Sequence, residues 1–101
     1  MTAKHETTKY FDLPRKQLFE AAKASLRACR CTITNENEQH GIIDARSRIN
    51  IWSWTEEIEV RISSSGEVYM ESRCYIPTQV VDWGKNKKNV NKFFAELEGR
   101  M

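Results

Sequence analysis

No stretch of this sequence approaches the roughly 20 apolar residues that a membrane span requires, and its opening, MTAKHETTKYFDL, holds no apolar signal core. A cytoplasmic protein with no membrane span is the expectation. Glycine and proline are scarce, four and two in 101 residues, which excludes collagen-like and low-complexity chains. Histidine occurs only at positions 5 and 40, and the three cysteines are odd in number, with Cys29-Arg30-Cys31 lacking the two-residue gap of a redox or zinc motif. No metal or other cofactor is therefore expected, and the cysteines read as reduced, buried thiols that pack as small hydrophobes. Neither sign of charge is in excess. Sixteen Lys and Arg against 14 Asp and Glu leave +2, too weak a field to draw a polyanion, so nucleic acid is an unlikely partner. No serine stands in a nucleophile elbow and no histidine is placed to serve as its base, which reads against an enzyme.

What is present, 40% hydrophobic and 30% charged residues, is ordinary composition for one globular domain spanning residues 1–101. The plainest pattern is TEEIEVRISSSGEVYMESRCY, Thr55 to Tyr75, two alternating runs about Ser-Ser-Gly. Ile58, Val60, Ile62, Val68 and Met70 fall on one side; Glu57, Glu59, Arg61, Tyr69, Glu71, Arg73 and Tyr75 fall on the other, as in a hairpin packed on one face only. Turn chemistry puts Gly66 in the left-handed conformation at the end of a three-residue loop and pairs Ser63 with Glu67, which sets Glu59 directly against Glu71. A two-residue shift would pair Arg61 with Glu71 instead, but would move Gly66 to mid-loop.

Around this hairpin the chain supplies a short strand at Thr7 to Phe11. A helix follows from Pro14 to about Cys29, with Asp12 as the better cap and Leu18, Phe19, Ala22, Leu26 and Cys29 on one stripe. A brief strand at Cys31 to Thr34, a polar loop to Gly41 and a strand from Ile43 onward come next. The final helix carries Val90, Phe93, Phe94 and Leu97 at i, i+3, i+4, i+7 and ends near Gly99. The order β-α-β-β-β-β-α implies an α+β, two-layer domain: one five-stranded antiparallel sheet with both helices on its apolar face.

Three places can carry function. The exposed sheet face gathers Arg46, Arg48, Arg61, Tyr69, Arg73 and Tyr75 into a charged and aromatic surface suited to a protein partner or a second copy of the chain. A pocket between the last helix and the sheet would be edged by Trp52, Trp54 and Trp83, and would take a small molecule or lipid. Asp82, Gly84 and Asn86 read as a structural cap on the last helix, while Lys85, Lys87, Lys88 and Lys92 place positive charge at the wrong end of its dipole. The first of these, a non-enzymatic interaction module, is the leading functional reading; the pocket is the alternative.

Glu71-Ser72-Arg73-Cys74 followed by Asp82-Trp83-Gly84-Lys85-Asn86 resembles the bacterial domain-of-unknown-function 1499 family, in which a strand rich in Arg and Ser leads to Asp-x-Gly-x-Asn at the start of a final amphipathic helix. The helix from Pro14 to Leu26 and the strand Gly41-Ile42-Ile43-Asp44-Ala45 are similar as well. The chain departs from the family's Arg-Ser-x-Ser-Arg pattern by having Ser-Arg-Cys-Tyr at residues 72–75. The resemblance implies this same α+β fold and no mechanism.

Overall fold

The computed structural model describes residues 2–47, 56–75 and 85–100. Seven elements follow one another as β1 (Thr2–Tyr10), α1 (Arg15–Ala28), β2 (Cys31–Asn37), β3 (Ile42–Ser47), β4 (Glu56–Ile62), β5 (Glu67–Tyr75) and α2 (Lys85–Gly99). The strands form one antiparallel sheet in the order β1-β5-β4-β3-β2. This is the expected α+β architecture, with the β4-β5 hairpin at its centre.

Alternation places Ile58, Val60 and Ile62 of β4 and Val68 and Met70 of β5 on the inner face, all nearly inaccessible to water. Against them lie Leu18, Phe19, Ala22 and Leu26 of α1 and Val90, Phe93, Phe94 and Leu97 of α2, the two stripes read from the sequence except for Cys29, which is half-buried outside the core. Phe93 and Phe94 meet edge to face at 5.2 Å, the arrangement favoured by the ring quadrupoles.

Both sides of the helical layer are closed by the same device. Lys9 of β1 sits over the Phe94 ring and bonds Glu98 of α2 at 2.7 Å. Lys23 of α1 sits over Phe19 and reaches Glu36 of β2 at 3.2 Å. A register shift between Ile33 and Asn35 makes the second clamp possible, because it brings Glu36 opposite the inward-facing Ile43.

The hairpin takes the register that the turn chemistry favours. Ser63 N–H donates to Glu67 O at 2.9 Å, and Glu59 stands opposite Glu71. Gly66 has φ +97°, and its carbonyl accepts from Phe11 N–H at 2.8 Å, tying the hairpin tip to the end of β1.

Two expectations are corrected. Asp12 does not cap α1: Pro14, at φ −61° and ψ 145°, occupies the N-cap position with no side-chain hydrogen bond. The reason is local, since Leu13 N–H is taken by Phe11 O at 2.9 Å and the first helical bond, Leu18 N–H to Pro14 O at 3.0 Å, starts two residues later than an Asp12 cap would place it. The first strand also runs five residues further back than Thr7, because β5 pairs with it continuously from Thr2. Asp82 and Gly84 lie outside the described residues, and Asn86 falls in the first turn of α2.

The glycine geometry makes a contrast that a urea melt can check. A Cβ at Gly66 would stand 2.3 Å from Phe11 O in a left-handed backbone, whereas one at Gly99 meets nothing within 4 Å. Gly66→Ala is expected to destabilise the fold by more than about 1 kcal/mol, and Gly99→Ala to be neutral or stabilising by up to about 1 kcal/mol.

Candidate functional site

The outer face of the sheet brings together four of the six residues singled out from the sequence. Arg46, Arg61 and Arg73 are exposed and Tyr69 is half-buried; Tyr75 ends β5, and Arg48 lies outside the described residues. A feature invisible in any single strand runs through them. The register aligns Glu6, Glu71, Glu59 and Asp44 in one row across β1, β5, β4 and β3, with Asn35 of β2 continuing it. Like charges directly opposite each other weaken a sheet by a few tenths of a kcal/mol per pair, so the row depends on its flanks.

Those flanks supply donors. Arg61 Nε pairs with Glu59, Arg73 bonds Glu71 at 2.6 Å, Lys4 approaches Glu6 at 3.8 Å, and Asn35 Nδ2 donates to Asp44 at 3.4 Å. The Tyr69 hydroxyl lies 2.7 Å from Glu6 and 2.8 Å from Glu71, with the Arg61 guanidinium 5.7 Å from its ring centroid. Arg46 pairs with Glu57 at 3.3 Å. Each of these cations is thus matched to an acid of the same surface.

The inner face holds a second polar arrangement. At the end of the sheet nearest the start of α2, the apolar core gives way to Ser47 at 8%, Glu56 at 1% and Ser72 at 0% exposure. The pairing Cys31-Ser47-Glu56 makes a single row across β2, β3 and β4, one step from Ser72. The Cys31 thiol donates to Cys29 O at 3.9 Å, and Asn89 Nδ2 of α2 donates to Ser72 Oγ at 3.1 Å. Burying such groups costs free energy unless they are hydrogen-bonded. Ser47 shares the phase of Ile43 and Ala45, and Glu56 and Ser72 continue the phase of Ile58 and Met70, so alternation carries all three to the inner side.

Beside this row, between the C-terminal end of α1 and the middle of α2, opens a cleft of about 290 Å³ lined by Ala28, Cys29, Arg30, Lys92, Ala95 and Glu96. Cys29 belongs to the cleft and Cys31 to the polar row, and Lys92 acts electrostatically on both. Burial, and then the neighbouring Cys29, pushes the Cys31 thiol up to about 11; burial followed by Glu96 raises Cys29. Both are neutral thiols at physiological pH, where nucleophiles and metal ligands need the thiolate. Between them Arg30 follows the end of α1 with φ 64°, the sole non-glycine residue with positive φ among those described. That conformation costs an L-residue about 1 kcal/mol.

Trp52, Trp54 and Trp83, expected to edge a pocket between α2 and the sheet, lie outside the described residues. Among the described residues no group of three or more His, Cys, Asp or Glu is arranged to hold a metal ion, and no helix is long and apolar enough to cross a membrane.

Neither a protein-family model nor a curated protein matches the chain. Solved structures do. The crystal structure of Ara h 8.0201 aligns over 99% of this chain and 97% of its own, with TM-score 0.55 and 9% identity. The likeness is one of fold. The Zhui aromatase/cyclase from Streptomyces sp. R1128 aligns over 99% and 96% of the two chains, with TM-score 0.45 and 12% identity.

The outer-face network has a signature in alkaline solution. Desolvation first, then hydrogen bonds to Glu6 and Glu71, raise the pKa of Tyr69 above the ordinary value of 10.0. The folded chain therefore holds this proton more tightly than the unfolded one. The resulting stability is complete below about pH 10 and is lost as pH climbs beyond it. Thermal melts from about pH 8 to 11 are expected to fall less steeply for Tyr69→Phe than for wild type, with a loss of roughly 1 kcal/mol at neutral pH for the missing hydrogen bond.

Proposed function

We propose that this domain binds a small organic molecule in the cleft between α1 and α2, with the buried polar row of the inner face beside it. The observation that carries the reading is a cleft of about 290 Å³ between the two helices whose walls combine the small side chains of Ala28, Cys29 and Ala95 with the charged groups of Arg30, Lys92 and Glu96. That volume is close to the lower end of small-molecule sites, roughly 300 Å³, and a few convergent polar groups in an apolar surround are what such sites use for orientation. The site lies against α2, as in the alternative drawn from the sequence, but opens toward α1.

The outer face is a weaker candidate for the binding surface. Arg46, Arg61 and Arg73 are engaged with Glu57, Glu59 and Glu71, so a protein partner or second copy would have to displace existing ion pairs to use them. Binding rather than covalent chemistry is favoured, because the two thiols nearest the cleft are held in their neutral form.

A thermal-shift screen of small molecules tests the assignment. A ligand at 100 times its Kd adds about 2.7 kcal/mol, which for a domain of this size lifts Tm by more than about 10 °C. Compounds that shift the wild type are expected to leave Ala95→Trp, whose indole fills the cleft, unshifted, and to act normally on Arg61→Glu/Arg73→Glu. The opposite pattern, with shifts kept in Ala95→Trp and lost on the outer face, would move the site to the sheet surface.

A further inference from the structure

We infer that the molecule taken up by the cleft is a small organic anion. Its acidic head, a carboxylate, phosphate or sulfonate, is held between the Arg30 guanidinium and the Lys92 ammonium, and its compact apolar body lies against Ala28, Cys29 and Ala95. This rests on the cleft being the binding site and adds the chemical class of its occupant.

Charge is the first argument. Of the three ionic side chains that line the cleft, Glu96 is matched by Arg100, 3.5 Å away. Arg30 and Lys92 have no ion-pair partner among the described residues. Lys88 stands one turn before Lys92, and the first turn of α2 holds no acid, so Glu96, already matched by Arg100, is the one acid among the residues lining the cleft. The C-terminal dipole of α1 opposes an anion here, and Arg27 in its last turn together with Arg30 counters it.

The backbone of Arg30 is the second, independent argument. The position after a helix end is where glycine or asparagine relieves left-handed strain, yet an arginine occupies it at φ 64°. Its side chain is exposed and forms no ion pair among the described residues that would offset that strain. The Arg30 N–H caps α1 by donating to Arg27 O at 2.9 Å, a bond that glycine would make without the strain, so the arginine is held there for its side chain, and a guanidinium fork is the side chain best matched to carboxylate and phosphate oxygens.

Fluorescence titration of the intact chain with anilinonaphthalene sulfonate, and with the uncharged N-phenylnaphthylamine that keeps the same aromatic frame, reads this class directly. The sulfonate is expected to bind at least ten-fold more tightly than the amine. Arg30→Gly and Lys92→Gln should each weaken it about ten-fold, the loss of one charge-assisted hydrogen bond, while leaving the amine unchanged. Arg30→Gly should do so with an equal or higher Tm, because glycine removes the backbone strain; a binding loss that tracked a lower Tm would overturn the assignment. Equal binding of both probes, insensitive to either substitution, would overturn the anion class and leave the cleft as a small-molecule site. Failure of both probes to bind would remove the two readings together. Cosedimentation with phosphatidylglycerol vesicles separates a membrane headgroup from a soluble anion: no sedimentation beside sulfonate binding supports the inference, and sedimentation abolished by Arg30→Gly without sulfonate binding overturns it.

Discussion

A five-stranded sheet with helices on one side has a single dry interface, and every other feature of this domain answers to it. Leu18, Phe19 and Leu26 from α1 and Phe93, Phe94 and Leu97 from α2 pack on Ile43, Val60, Ile62, Val68 and Met70. Hydrophobic burial is non-directional, so it brings the layers together without deciding how the helices lie. The direction comes from the flanks. Lys9 and Lys23 each hold an ammonium over a core phenylalanine ring and reach a glutamate across the layer boundary. Exposed pairs of this kind contribute little individually; their positions on the two outer sides of the helical layer are what locate α2 over β1 and α1 over β2.

With the core committed to one face, the other must be stable in water without a cover. Its acidic row is tolerated because arginines and a tyrosine flank it in the neighbouring rows, leaving few uncommitted charges in the middle of the sheet. At the cleft where the C-terminal end of α1 passes α2, Arg30 and Lys92 have no ion-pair partner among the described residues. The contrast between the paired arginines of the outer face and the unpaired Arg30 and Lys92 of the cleft sets the functional reading, since recognition needs groups that are not already satisfied within the protein.

The helical stripes, the central hairpin and the element order were legible because each depends on a period of 3.6 or 2 within a short window. The register was legible from Gly66, whose left-handed backbone admits one loop geometry at that tip. The cap of α1 was misread because the Leu13 amide, which an early helix start would leave free, is taken by Phe11 O through a turn that composition does not reveal.

The acidic row lay beyond any local reading: Glu6 and Glu71 are 65 positions apart and become neighbours only when β1 pairs with β5. The same holds for the cleft, whose walls come from residues 28–30 and 92–96. Local alternation, helical stripes and turn chemistry determined which elements this chain forms and which side of each is dry, since those properties belong to neighbouring residues. Which charges face one another, which serine and glutamate side chains are shut in, and where a cavity remains were decided only by the tertiary structure, because long-range pairing sets those distances and the sequence between the partners carries no record of them.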